Sequence, residues 1–394
     1  MKRILLLLLA LTAIMLLPYL GALIQYDNTL PAGYFNYPVS MIHLRPPTSW
    51  IYLIAFSIIG LGIGVIYFLP KWVGFKAPVL KKAKPIKQVA FPIWFWIGLV
   101  MWAIPIALFW TKASEPSWLI YWADIPIFWG ISFMLDGIVY RRTGGKSIIS
   151  MNPRELLAIG VASMGGWMLF QYLNFYVQGN WYYPQSGLLS DSHFLLYSIL
   201  GSGGLMPMAF EMYTLLRTIK WLPPRYENGI KWDAPKWLKL AVMIGMMGGM
   251  LFTGYSPDSL FFLLWLGPVT ILGITLSLLN IWTPFKPIAK GNWSPFLVFC
   301  LTYFFVGFIL EGQNYFSGYH EVGSEVQTFN PSYWVYNIPY VDVLHIFEMP
   351  ALGFLGYLPF GIYCWVWWIF VSYLLNIPSY LADPTDDSPP FKYK

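Results

Sequence analysis

The chain holds four histidines, His43, His193, His320 and His345, all in polar, aromatic-rich segments between long apolar runs. Two of them share a downstream pattern. His193 is followed by Leu200, Gly201, Gly204 and Pro207, and His345 by Leu352, Gly353, Gly356 and Pro359, at a constant offset of 152 residues. Each also lies three residues after a capping residue type, Ser190 or Asp342, which predicts an imidazole in the first turn of a helix. The positive end of the helix dipole favours an uncharged ring, the form that ligates metal or haem iron. Two such histidines at one depth can supply the axial pair of a haem b. Gly201, Gly204, Gly353 and Gly356 would let a flat macrocycle approach the helix backbones. Glu348 falls one turn from His345, so His193, His345, Glu348 and Glu311 are also a candidate ligand set for a divalent metal. Plainer roles compete with these. An interfacial histidine is often only a surface residue, and Gly-x-x-Gly is often only close helix packing.

Carboxylates within the apolar runs are few: Asp124, Asp136, Glu155, Glu211, Glu311 and Glu348. A bare carboxylate in hydrocarbon costs around 3 kcal/mol or more, so each needs a partner or a polar path. Glu211, four residues after Pro207, is the candidate catalytic acid, part of an inner proton path. Asp136, one turn from Arg141 and Arg142, and Glu155, beside Arg154, read as interfacial ion pairs. Cys300 and Cys364 sit in apolar runs without a CxxC motif and read as buried small side chains. No Walker loop, Gly-x-Ser-x-Gly, His-Glu-x-x-His or dinucleotide fingerprint is present.

The elements that must position these residues are membrane helices. Of 394 residues, 57% are hydrophobic and 11% charged, against roughly a quarter charged in a soluble domain. Apolar stretches of about 18 or more residues, enough to cross roughly 30 Å of hydrocarbon, recur near 4–24, 49–70, 91–111, 118–140, 155–177, 194–216, 238–255, 260–282, 295–311 and 351–375. The first, after Lys2 and Arg3, reads as a retained helix rather than a signal peptide. With the N-terminus cytoplasmic, every Lys and Arg except Arg45 and Lys112 falls on the inner side. That includes the 71–87 loop, a candidate for binding anionic lipid, and Lys392 and Lys394. The basic excess is therefore topological, which removes the case for nucleic acid as a partner. The expectation is an all-α polytopic protein of the inner (cytoplasmic) membrane, with ten spans and both termini cytoplasmic.

Self-comparison extends the histidine pattern into a duplication. Trp181-x-Tyr183 matches Trp334-x-Tyr336 at an offset of 153, and Gln171-x-x-Asn174 matches Glu311-x-x-Asn314 at 140. Gly130-Ile131-Ser132 with Leu135 matches Gly273-Ile274-Thr275 with Leu278 at 143, and Pro153 matches Pro295 at 142. The matches run in one order. They predict two N-terminal helices with a basic loop (1–90), then two tandem four-helix units (91–236 and 237–394) related by a two-fold along the membrane normal. The second unit carries an outer loop, 312–350, with the acids Glu321, Glu325, Asp342 and Glu348, and that loop reads as a small folded cap.

Two functions fit. The first is an integral membrane subunit of a respiratory-type electron-transfer complex, binding quinone, haem or metal near its outer face beside other subunits and membrane lipids. The alternative is a secondary transporter or lipid-handling permease. A third reading is a structural subunit without chemistry of its own.

Overall fold

The computed structural model describes residues 1–39, 42–78, 87–320 and 326–379. Lys81, Lys82 and Lys84 of the basic loop, Glu321 and Glu325 of the cap, and the C-terminal Lys392 and Lys394 lie outside the described residues.

The protein is a helical, multi-pass membrane protein. The chain runs α1 (Lys2–Gln25), α2 (Trp50–Phe68), α3 (Ile93–Trp110), the short α4 (Ser117–Ile120), α5 (Asp124–Arg142), the short α6 (Ile148–Met151), α7 (Pro153–Tyr176), α8 (Asp191–Ser202) and α9 (Leu205–Arg217). It continues through α10 (Lys236–Tyr255), α11 (Leu263–Leu278), α12 (Ser294–Phe316) and α13 (Tyr357–Leu374), the last preceded by a 3₁₀ turn over Ala351–Gly356. Helices long and apolar enough to cross a bilayer number eight among the described residues, with α8 and α9 counted as one. The two other expected spans are also helical. However, α5 carries Asp124, Asp136, Arg141 and Arg142, and α11 has only 16 residues.

Uninterrupted Leu, Ile and Phe runs leave helix as the only way to satisfy the backbone in lipid. Pro18, Pro105 and Pro268 lie inside α1, α3 and α11, as membrane helices tolerate. The closest crossing joins α1 to α10. A Cβ on Gly21 would run into the Leu251 backbone, and one on Gly254 into the Pro18 backbone, so only glycine permits it. Among the most buried helices is α13, whose Trp365 and Trp368 are fully enclosed by the bundle.

Four two-residue strands lie in the loops between the helices among the described residues. β1 (Trp181–Tyr182) pairs antiparallel with β2 (Val335–Tyr336), and β3 (His345–Ile346) with β4 (Met349–Pro350). Arg45, one of the two cations predicted outside, locks these loops down. Its guanidinium donates to Asp258 Oδ1 (2.7 Å), Asn337 O (2.7 Å), Val177 O (2.6 Å), Gln178 O (3.2 Å) and Asn180 Oδ1 (3.2 Å). A single planar five-donor fork thus joins the end of α7 to the segment after β2.

Candidate functional site

The last turns of α7 and α12 each set an acceptor and an asparagine three residues apart: Gln171 with Asn174, and Glu311 with Asn314. Three residues is nearly one helical turn, so both members of each pair reach the same face. The chain then returns over that face as β1 or β2. Asn174 Nδ2 donates to Trp181 O, and Asn314 Nδ2 donates to Trp334 O, both at 2.8 Å. Trp181 Nε1 donates to Gln171 Oε1 (3.2 Å), and Gln171 Nε2 donates to the Tyr183 hydroxyl (2.6 Å). In the second copy, Trp334 Nε1 donates to both Glu311 oxygens (3.3 Å) and Tyr336 Oη donates to Glu311 Oε1 (2.6 Å). The Tyr357 hydroxyl donates to Glu311 Oε1 as well. Glu311 is fully buried, with three donors aimed at it.

A second carboxyl reaches the same region from α5. Asp124 is buried at the start of that helix, and Ser332 Oγ donates to its Oδ2 (2.6 Å). The Tyr197 hydroxyl lies 3.1 Å from Ser332 Oγ.

Between these two centres lies a cavity of about 110 Å³, lined among others by Asp124, Gln171, Ser332, Trp334, Tyr336 and Tyr357. That volume holds several waters or about one six-membered ring. Its wall is a run of near-parallel rings. Trp167 stacks on Trp181 (5.8 Å, 28°), Trp181 on Trp265 (5.6 Å, 30°), and Phe170 on Trp265 (5.0 Å, 25°). Outside the spans, burial pushes the Tyr183 phenol up to about 12 and raises the Tyr333 phenol well beyond its ordinary value. Both hydroxyls therefore stay protonated and able to donate at neutral pH.

The histidine site read from sequence is corrected. His193 does stand in the first turn of α8, where its N–H meets the Ser190 side chain. However, the ring is exposed, and its Nδ1 lies 2.8 Å from Ser190 Oγ. His345 does not open a helix. It lies exposed in β3, with Nε2 2.9 Å from Asp342 Oδ1. Positive φ at Tyr340, Leu344 and Phe347 (65°, 54° and 60°) breaks any helix through this segment. Neither ring lines the cavity. No group of three His, Cys, Asp or Glu side chains that could hold a metal exists among the described residues, so His193, His345, Glu348 and Glu311 do not assemble as ligands. Glu348 instead accepts from the Tyr333 hydroxyl and faces His320 Nδ1 at 3.6 Å.

The glycines divide. Gly201, Gly353 and Gly356 line the cavity, whereas Gly204 packs against Phe128. A Cβ on Gly201 would meet nothing nearer than Asp124 Cβ at 3.9 Å.

Glu211 is fully buried in α9, with Thr214 Oγ1 3.4 Å from its Oε2 and its carboxyl against that of Asp136. Asp136 is not an interfacial ion pair. It is fully buried and accepts from Trp94 Nε1 (2.8 Å), Ser147 Oγ (2.7 Å) and the Ile149 N–H (2.9 Å). Glu155 is likewise buried, accepting from Ser379 Oγ at 2.8 Å. The basic partners expected for Asp136 turn elsewhere: Arg142 donates to Thr218 and Arg141 covers the Phe91 ring.

Sequence reasoning placed the aromatic residues of 181–183 and 333–336 around a pocket but missed Asp124, Gln171 and Tyr357 as site residues. A signal was present. Gln171 and Glu311 occupy matched positions and differ only in charge, which marks the second as the odd one out.

Comparison of the chain with protein-family models, with curated proteins and with solved structures finds no match.

Proposed function

We propose that the chain is the quinone-binding membrane subunit of an electron-transfer complex, and that the head group occupies the aromatic cavity rather than a histidine pair. The observation that carries this reading is a ring-lined cavity approached by two separate carboxyls, each through hydroxyl groups. A quinone ring lies flat on indoles, and its two carbonyl oxygens each need a donor. On one side the Tyr336 or Tyr357 hydroxyl turns from Glu311 to a carbonyl oxygen; on the other the Tyr197 hydroxyl turns from Ser332, which stays on Asp124. Reduction to quinol takes two electrons and two protons. A redox subunit bound to this one supplies the electrons, and the two carboxyl centres supply the protons. The Glu211–Asp136 carboxyl pair is the inner station of the proton path.

The same reading takes the protein as ten spans with cytoplasmic termini, built as two exchanged four-helix units. The packing supports that. α3 packs on α5 as α10 does on α11, α5 on α9 as α11 on α13, and α7 on α9 as α12 on α13. Across the units, α9 meets α12 and α13 meets α7. Matched glycines Gly204 and Gly356 each immediately precede the inner helix of their span. In the β1–β2 pair the matched residues Tyr182 and Val335 face each other, as they must where a two-fold axis passes through them. The cavity then lies on the axis, which also favours the permease reading, since transporters bind substrate between repeats.

Titration of the purified protein with a tail-less benzoquinone, followed by tryptophan quenching, tests the proposal. Saturable quenching is expected for the wild type and its loss for Gly201→Leu, which fills the cavity from a position with free space. Equal quenching in both proteins would refute the site. Flux of a solute through proteoliposomes without quinone binding would favour the permease.

A further inference from the structure

A second, larger cavity of about 670 Å³ lies between α2 and the helices α10 to α13. Its walls include Ile63 and Ile66 of α2, Val242 of α10, Ile274 of α11, Leu297 of α12 and Ile362 of α13. It opens beside the second half of α2, at Ile63, Ile66 and Tyr67. No residue of α2 is buried. Two tyrosines brace the helix near its ends: Tyr52 Oη donates to Ser259 O and Tyr67 Oη to Leu297 O, each at 2.9 Å. Between these struts Phe56 packs on Phe261 and Phe262, and the gap opens beyond it at Ile63 and Ile66.

A gap this wide between helices departs from close packing, and its walls are mostly apolar. The cavity also runs along helices apolar enough to cross a bilayer, α2, α10, α12 and α13, so hydrocarbon chains surround it. Its inner end is polar and lined by Trp232, Asp233, Lys239 and Lys286. Asp233 Oδ1 takes Lys239 Nζ at 3.2 Å, while Lys286 is exposed. The adjoining segments 231–239 and 286–290 add Lys231, Lys236 and Lys290, so these segments carry five lysines and one aspartate. Such a basic cluster at a membrane surface attracts anionic head groups.

We infer that this crevice is a binding site for an anionic phospholipid, its acyl chain between α2 and α11 and its phosphate against Lys239 and Lys286. Lipid held there completes the packing of α2, which the protein alone leaves unfilled.

The test is native mass spectrometry of the full chain purified from vesicles of equal phosphatidylglycerol and phosphatidylcholine. The wild type should retain phosphatidylglycerol in preference to phosphatidylcholine. The double variant Lys239→Gln/Lys286→Gln should lose about tenfold of that preference. Ser277→Phe, which pushes a ring into the crevice, should lower retention of both lipids. Absence of retained lipid in the wild type would overturn the inference. So would retention of the two lipids in equal amounts, or retention unchanged by Ser277→Phe. Because the wild-type preference is itself decisive, the test survives a variant that fails to fold.

Discussion

Replacing Glu311 by alanine removes the acceptor for three buried donors: the Tyr336 hydroxyl at 2.6 Å, the Tyr357 hydroxyl, and Trp334 Nε1 at 3.3 Å. Each buried donor left without a partner costs about 1–3 kcal/mol. Tyr336 and Tyr357 lie 3.4 Å apart and can turn to one another, recovering one bond. The expected loss for Glu311→Ala, with two donors left unpaired, is therefore about 2–6 kcal/mol. Glu311→Gln should cost only about 1–2 kcal/mol, because its amide can copy the arrangement at Gln171. There Nε2 donates to Tyr183 and Oε1 accepts from Trp181. Detergent-solubilised protein unfolded in guanidinium and followed by tryptophan fluorescence measures both variants. If Glu311→Ala proves no more destabilising than Glu311→Gln, the ring of donors around this carboxyl does not hold the two strands down.

Three further outcomes follow from the same geometry. Asn314→Ala should destabilise about 1 kcal/mol more than Asn174→Ala, because Asn314 Oδ1 also accepts from the Trp334 N–H at 3.0 Å; equal losses in chemical unfolding would contradict this. Arg45→Lys should cost about 2–4 kcal/mol and expose the 178–193 segment to limited proteolysis, since one ammonium cannot satisfy five acceptors; an unchanged cleavage pattern would refute the bracing role. Burial raises the Tyr183 phenol from 10.0 to about 12, so above pH 10 the unfolded chain releases a proton that the folded protein keeps. Stability should then fall between about pH 10 and 12, by about 3 kcal/mol from this group, and Tyr183→Phe should flatten that part of the curve.

The helical spans were legible because apolar runs bounded by lysines leave the chain few alternatives in lipid. The matched Gln171/Glu311, Asn174/Asn314 and Trp181/Trp334 were legible too, and each pair makes the same kind of bond. What misled was local. Asp342 looks like a helix cap to His345, yet Met349 precedes Pro350, which disfavours helix there, and three residues with positive φ turn the segment into a strand pair. Asp136 looked interfacial because Arg141 and Arg142 follow it. Helical spacing could not show that Trp94, Ser147 and Ile149 from other elements enclose it. Asp124 joins Ser332, 208 residues away, and no pattern within one segment carries such a pairing.

Photolabelling with an azido-quinone, followed by peptide mapping, addresses the proposed site most directly. The account predicts label on the segments carrying Tyr197 to Leu205, Ser332 to Tyr336 and Gly353 to Phe360, displaced by excess unlabelled quinone and absent from Gly201→Leu. Label confined to α1 to α3, or label that excess quinone leaves in place, would contradict it.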